Sequence, residues 1–194
     1  SAGPAPRRSV LFLSVTAEEK GLLGARHYAR QPLYPLERTL AVINMDGANQ
    51  FGPTRDIEIV GLGSTTMDDV ATELARAQGR TVRAESNPER GTYFRSDHFE
   101  FAKVGVPGFY AKAGRDFIGQ PPDFAERKVN EYIARHYHQP SDEYDGKWDW
   151  SGILQEAELY YRLGHSLAQT TDWPNWNKGD EFRAARDASL KAGK

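Results

Sequence analysis

Short apolar runs, each cut off at once by a polar turn, recur along this 194-residue chain and limit the folds open to it. Residues 9–15, Ser-Val-Leu-Phe-Leu-Ser-Val, form the strongest of these runs. A continuous apolar stretch of that length reads as a strand buried on both faces. It stops at Thr16-Ala-Glu-Glu-Lys20, and a helix-like stretch over 22–30 follows, ended by Pro32 and Pro35. Residues 39–45 read as a second buried strand, with Asp46-Gly-Ala-Asn49 as the turn beyond it, and 56–60 as a third. An amphipathic helix near 66–78, a strand over 81–85 and a polar loop over 86–95 come next. Ser96-Asp97 can cap a helix running to Val104, with Gly105 as its stop. A strand over 108–111, an insertion with Pro121-Pro122 and a short helix, and a long helix over 151–170 complete the pattern. Strands alternating with helices predict an α/β fold in three layers, with a mostly parallel central sheet flanked by helices.

Charge and composition narrow the function classes. The chain carries 25 Lys and Arg against 27 Asp and Glu, a net charge of −2, which excludes the broad basic surface of a non-specific nucleic-acid binder. The aromatic content, 4 Trp, 9 Tyr and 9 Phe, argues against disorder. No apolar run approaches the roughly 20 residues a membrane helix needs, and the first residues have no signal-peptide pattern. With no Cys, disulfides, thiolate metal sites and cysteine nucleophiles are all excluded. A metal site here must be built from carboxylates and from His27, His98, His136, His138 or His165.

Chemistry-bearing residues follow the carboxyl ends of the apolar runs: Glu18-Glu19 after the first, Asp46 after the second. In open α/β sheets that edge is where ligands bind. Adjacent carboxylates there repel and stay ionised at a cost unless a cation is near, and His138 in a polar loop could add an imidazole. Taken singly, Glu18-Glu19-Lys20 is also an ordinary solvated turn, and Asp46 an ordinary turn former.

Four motifs in order carry more weight: Thr16-Ala-Glu-Glu-Lys-Gly-Leu-Leu-Gly24, Asn44-Met-Asp-Gly47, Tyr93-Phe-Arg-Ser-Asp-His98 and Tyr137-His-Gln-Pro-Ser-Asp142. The series resembles the co-catalytic zinc aminopeptidases, which include bacterial leucyl aminopeptidase and aminopeptidase Y. The resemblance covers nearly the whole chain. It extends to a tail, Trp173-Pro-Asn-Trp-Asn-Lys-Gly-Asp-Glu-Phe182, similar to that of bacterial periplasmic members. It implies Glu18 as general base, Glu19 and His138 as ligands of one zinc, Asp46 as a ligand of the other, and Tyr93 as the phenol that stabilises the oxyanion. It also implies a peptide substrate and a periplasmic or secreted location.

The family's site needs two further ligands, an early His and a bridging Asp, on segments before the glutamate-pair strand. With that strand beginning near Ser9, residues 1–194 are expected to form a single, N-terminally truncated catalytic domain with a leader (1–8) and a tail (173–194). Such a piece should be inactive alone and bind zinc weakly, singly or not at all, where the complete parent domain binds two. Edges exposed by truncation are expected to self-associate. A glutaminyl-cyclase-like acyltransferase and a non-catalytic binding relative are the alternatives on the same scaffold.

Other residues are set aside. His98 is expected to pack rather than ligate, and His27 and His136 to be solvated. Gly164-His-Ser-Leu-Ala168 lacks the context of a nucleophile elbow, and Gly61-Leu-Gly-Ser64 lacks the Lys of a phosphate loop. The charged segment from Arg183 onward reads as a solvated helix.

Overall fold

The computed structural model describes residues 5–144 and 146–192, the side chain of Ala192 excepted. Among them, four strands form one sheet: β1 (Val42–Asn44), β2 (Asp56–Ile59), β3 (Thr81–Ala84) and β4 (Gly108–Ala113). The spatial order is β1-β4-β2-β3. β1 runs parallel to β4, with Ile43 opposite Phe109, and β2 parallel to β3, with Ile57 opposite Val82. β2 and β4 are antiparallel, with Ile59 opposite Ala111. The sheet is therefore mainly parallel, as the alternation of elements predicts.

Helices cover both faces. On one side α2 (Met67–Ala77) and α5 (Trp150–Gln169) close over Ile57, Ile59, Phe109 and Ala111 with Met67, Ala71, Leu159 and Leu163. The 3.6-residue spacing of α5's apolar positions aims Leu159, Leu163 and Leu167 at that core. On the other side lie α1 (Leu23–Arg30) and α3 (His98–Ala102), where Ala25, Tyr28, Phe101 and Val106 pack together with Val15 and Val42. The insertion after β4 forms α4 (Phe124–Arg135), and the tail ends in α6 (Arg183–Ala192).

Two expectations fail. Residues 9–15 have the composition of a doubly buried strand, yet no strand pairs with them among the described residues. Phe12 is 87% exposed, and Val10, Leu11 and Leu13 are exposed as well. A strand exists only where a neighbour completes its hydrogen-bond ladder. This segment is instead held at its ends: Arg8 N donates to Ala168 O (3.2 Å), and Gly24 N donates to Thr16 O (2.9 Å). The tail departs in the opposite sense. Arg186, in a segment expected to be solvated, is fully buried and donates to Thr39 O and Leu40 O (3.1 and 3.0 Å), just before β1. Burial pushes its guanidinium down to about 10. Gly105 makes the approach feasible, because a Cβ there would lie 2.5 Å from Arg186 N.

Two buried titratable groups predict opposing pH dependences of stability. Burial raises Glu156 of α5 to about 7, against the pull of buried Arg80. From about pH 4.5 to 7 the folded state keeps a proton that the unfolded state has lost, so this group's contribution falls as pH rises. The full effect is on the order of 3 kcal/mol. Burial pushes His98 down to about 4, so the unfolded state binds the extra proton between about pH 4 and 6.5, and its contribution rises with pH. In urea titrations across pH 5–8, Glu156→Gln should gain on the native protein as pH rises, the gap widening up to pH 7. Parallel curves would place the Glu156 proton elsewhere.

Candidate functional site

Glu18 and Glu19 occupy a 3-10 turn, Glu18–Lys20, between the extended segment 9–15 and α1. The turn is built under backbone strain. Ala17, just before it, and Leu22, the residue that opens α1, both sit in the left-handed region at φ 58°, as does His138 at φ 60°. No other non-glycine among the described residues has a positive φ. Such conformations cost of order 1–3 kcal/mol each and cluster where a site dictates geometry. Gly24 explains the end of the first motif: a Cβ there would lie 2.5 Å from Thr16 N and 2.7 Å from Thr16 O. Only glycine lets α1 begin that close to the turn.

The acidic pair meets residues remote in sequence. His138 Nε2 lies 2.7 Å from Glu19 Oε1, joining positions 119 residues apart, both side chains open to solvent. Glu18 is half-buried. Its carboxyl is held above the ordinary glutamate range, first by burial and then by the charges of Asp46, Glu19 and Asp97, while Arg95 opposes them. Asp46 follows β1 on the exposed carboxyl edge, and its Oδ2 accepts a hydrogen bond from Ser96 Oγ (2.6 Å). Glu18, Glu19, Asp46 and His138 thus gather around one end of the sheet.

Tyr93, the expected oxyanion phenol, packs among aromatic rings. Its hydroxyl is buried without a partner, and its ring lies against His98 (4.7 Å between centroids), Phe94 (5.4 Å) and Phe182 (6.3 Å). The charges that act on it are Asp180, Glu181 and Asp68, with none of Glu18, Glu19 or Asp46 among them. The phenol that stands beside the Glu19–His138 pair is Tyr137, stacked on His138 at 3.8 Å and 41% exposed. Adjacency to His138 in the fourth motif was the available signal for it. Asp97 was also missed. Expected to cap α3, it makes no capping bond, and its carboxyl is raised by burial and by Asp46 and Glu100. His98 packs as expected, 1% exposed between Tyr93 and Tyr110.

The donor types suit part of a zinc site. Glu19 and His138 offer a carboxylate and an imidazole side by side, and Asp46 offers a second carboxylate. Among the described residues no three His, Asp or Glu side chains converge closely enough to hold an ion by themselves. The same geometry otherwise provides a half-buried carboxyl held above the ordinary glutamate range and an exposed phenol stacked on His138.

The fold has a solved counterpart. The aminopeptidase from Aneurinibacillus sp. strain AM-1 superposes with a TM-score of 0.54 at 20% identity, over 82% of this chain and 33% of that one. A vacuolar membrane protease of the fungus Verticillium alfalfae is 27% identical over 171 residues, 86% of this chain but 14% of its own length. This chain therefore spans a third or less of either protein. Its described helices include none long and apolar enough to cross a membrane. Residues 1–163 match the model of peptidase family M28, and on that match, with four motifs meeting at one sheet edge, the chain belongs to that family.

Proposed function

We propose that these residues form part of the catalytic domain of a zinc-dependent aminopeptidase that removes N-terminal residues from peptides. The observation that carries this reading is the contact between Glu19 and His138 beside Glu18, a carboxyl held above the ordinary glutamate range. Zinc would be held by Glu19 and His138, with Asp46 toward a second ion, and would supply Lewis-acid polarisation and a more acidic water. The donor set suits weak binding of one ion by this chain alone.

Glu18 does the proton work. Its carboxylate takes a proton from the attacking water as the water oxygen bonds to the scissile carbonyl carbon. The same carboxyl delivers that proton to the amine nitrogen as the C–N bond breaks. A phenol donating to the oxyanion stabilises the charge that develops between those events, and Tyr137 is the better placed of the two tyrosines. The periplasmic or secreted location rests on the resemblance of the tail alone.

The test uses the full-length protein with zinc, assayed on an aminoacyl anilide and on its N-acetylated counterpart. Release from the free-amine substrate only is expected, and equal release from both would exclude an aminopeptidase. Tyr137→Phe should lower kcat by roughly 10²-fold. Tyr93→Phe, which removes a buried hydroxyl without a partner, should leave kcat unchanged and stability equal or better. The reverse ranking would return the oxyanion role to Tyr93.

A further inference from the structure

The helix α5 carries two apolar faces. Leu159, Leu163 and Leu167 turn inward to the sheet. On the opposite side Trp150, Leu154, Ala157 and Tyr161 recur at the alternating four- and three-residue spacing of a helical stripe, and all of them are exposed. Leu154 is 66% exposed and Tyr161 71%. The solvent side of a helix that covers a sheet is ordinarily polar. A second apolar stripe at this spacing is instead the seam by which one helix packs along another.

Charge decides which helix fits. Glu158 and Arg162 lie together on one flank of the stripe, joined at 2.7 Å and each about half exposed. Two clefts between α5 and α2, of about 400 and 740 Å³, meet at this pair, with Leu154 lining the first and Tyr161 the second. A helix laid along the stripe must therefore answer a carboxylate and a guanidinium one turn apart. A second α5 does so when it runs antiparallel. A twofold axis crossing the stripe brings the same flank of both helices together, so Glu158 of each copy lies beside Arg162 of the other. The same axis sets Tyr161 over the small Ala157 of the other copy, and Leu154 over its exposed His165. A parallel α5 would set like charges level with like. Contacts that are self-complementary in this way close as a dimer.

We propose that the chain forms a twofold dimer through antiparallel contact of its α5 helices, centred between Ala157 and Tyr161. The surface shares no residue with Glu18, Glu19, Asp46 or His138, and the inference does not depend on the peptidase reading. Leu154 and Tyr161 supply the apolar centre of the contact, and Glu158 with Arg162 sets its direction.

Sedimentation equilibrium of the full-length protein tests the dimer. The native protein is expected to pass from monomer to dimer as its concentration rises. Leu154→Asp and Tyr161→Asp place a carboxylate in the seam and should each weaken association by roughly 10²-fold. Both positions are exposed in the single chain, so the fold should survive, with urea midpoints close to native. Glu158→Arg and Arg162→Glu, made singly, set like charges against each other across the axis and should each weaken association by roughly 10-fold. Combined in one chain, the two exchanges restore the complementarity and should recover most of the native affinity. A partner of any other sequence would not follow that exchange. A native protein that stays monomeric overturns the proposal, whatever else covers the stripe. A dimer indifferent to both Leu154→Asp and Tyr161→Asp overturns it too, as does a double exchange that associates no better than the single ones.

Discussion

Replacing Glu18 by Gln in the full-length protein should lower kcat by about 10²–10⁴-fold, the usual contribution of a positioned general acid–base, and leave zinc content nearly unchanged. Gln keeps the volume and the acceptor oxygen but cannot take a proton, and the donors assigned to zinc are Glu19, His138 and Asp46. Burial and three neighbouring carboxylates hold Glu18 above the ordinary glutamate range. The acid limb of kcat/KM should therefore lie above pH 4.5, since turnover needs the deprotonated form, and that limb should vanish in the variant. A cation at Glu19 favours the ionised form of its neighbour, so added zinc should move the limb to lower pH. Loss of zinc with loss of turnover would mean that Glu18 is a ligand and that the base is another group.

Trp176→Ala is the substitution expected to cost the most stability, about 3–5 kcal/mol for truncating a fully buried aromatic side chain. The indole is 0% exposed, donates from Nε1 to Gly105 O (2.9 Å) and lies 5.0 Å from the Phe182 ring. Around it the tail is sewn to the loop before α2: Thr66 N donates to Asn175 O, and Asn177 N to Ser64 O. Phe182 in turn stacks on Tyr93, which packs on His98, two residues from Ser96. Removing the indole thus opens a cavity, leaves the Gly105 carbonyl unpaired and loosens the aromatic packing that runs from Phe182 to His98. The comparison is Trp173→Ala. That ring is 40% exposed and lies beneath Arg8 and Arg186 at 5.9 and 5.3 Å, an arrangement worth about 0.5–1 kcal/mol at an exposed site. Urea midpoints should rank native, Trp173→Ala, Trp176→Ala in falling order. A smaller loss at Trp176 than at Trp173 would show that the tail does not clamp the fold.

Much of the molecule was legible from local pattern. Periodicity identified α2 and α5 to within a residue or two, because an amphipathic stripe records which face is buried. Gly105 marked the stop after α3, and its φ of 90° supplies the reason. Glu18, Glu19, Asp46 and His138 were all singled out from motif order, and the fold brings them to one edge. Reading failed where the outcome hung on a partner distant in sequence. The apolar run at 9–15 looks like a strand on composition, yet strand formation is a property of pairs. Arg186 looks solvated until its carbonyl partners at Thr39 and Leu40 are known.

The sequence by itself determined the layered α/β class, the family's motif order and the residue types able to do acid–base and metal chemistry. These depend on periodicity and on the chemistry of single side chains, which are local. The tertiary structure decided which tyrosine stands beside His138 and which group receives the proton of Ser96. It also decided whether an apolar run is paired. Each of those depends on distances between residues tens of positions apart, set only when the sheet and its two helical layers close.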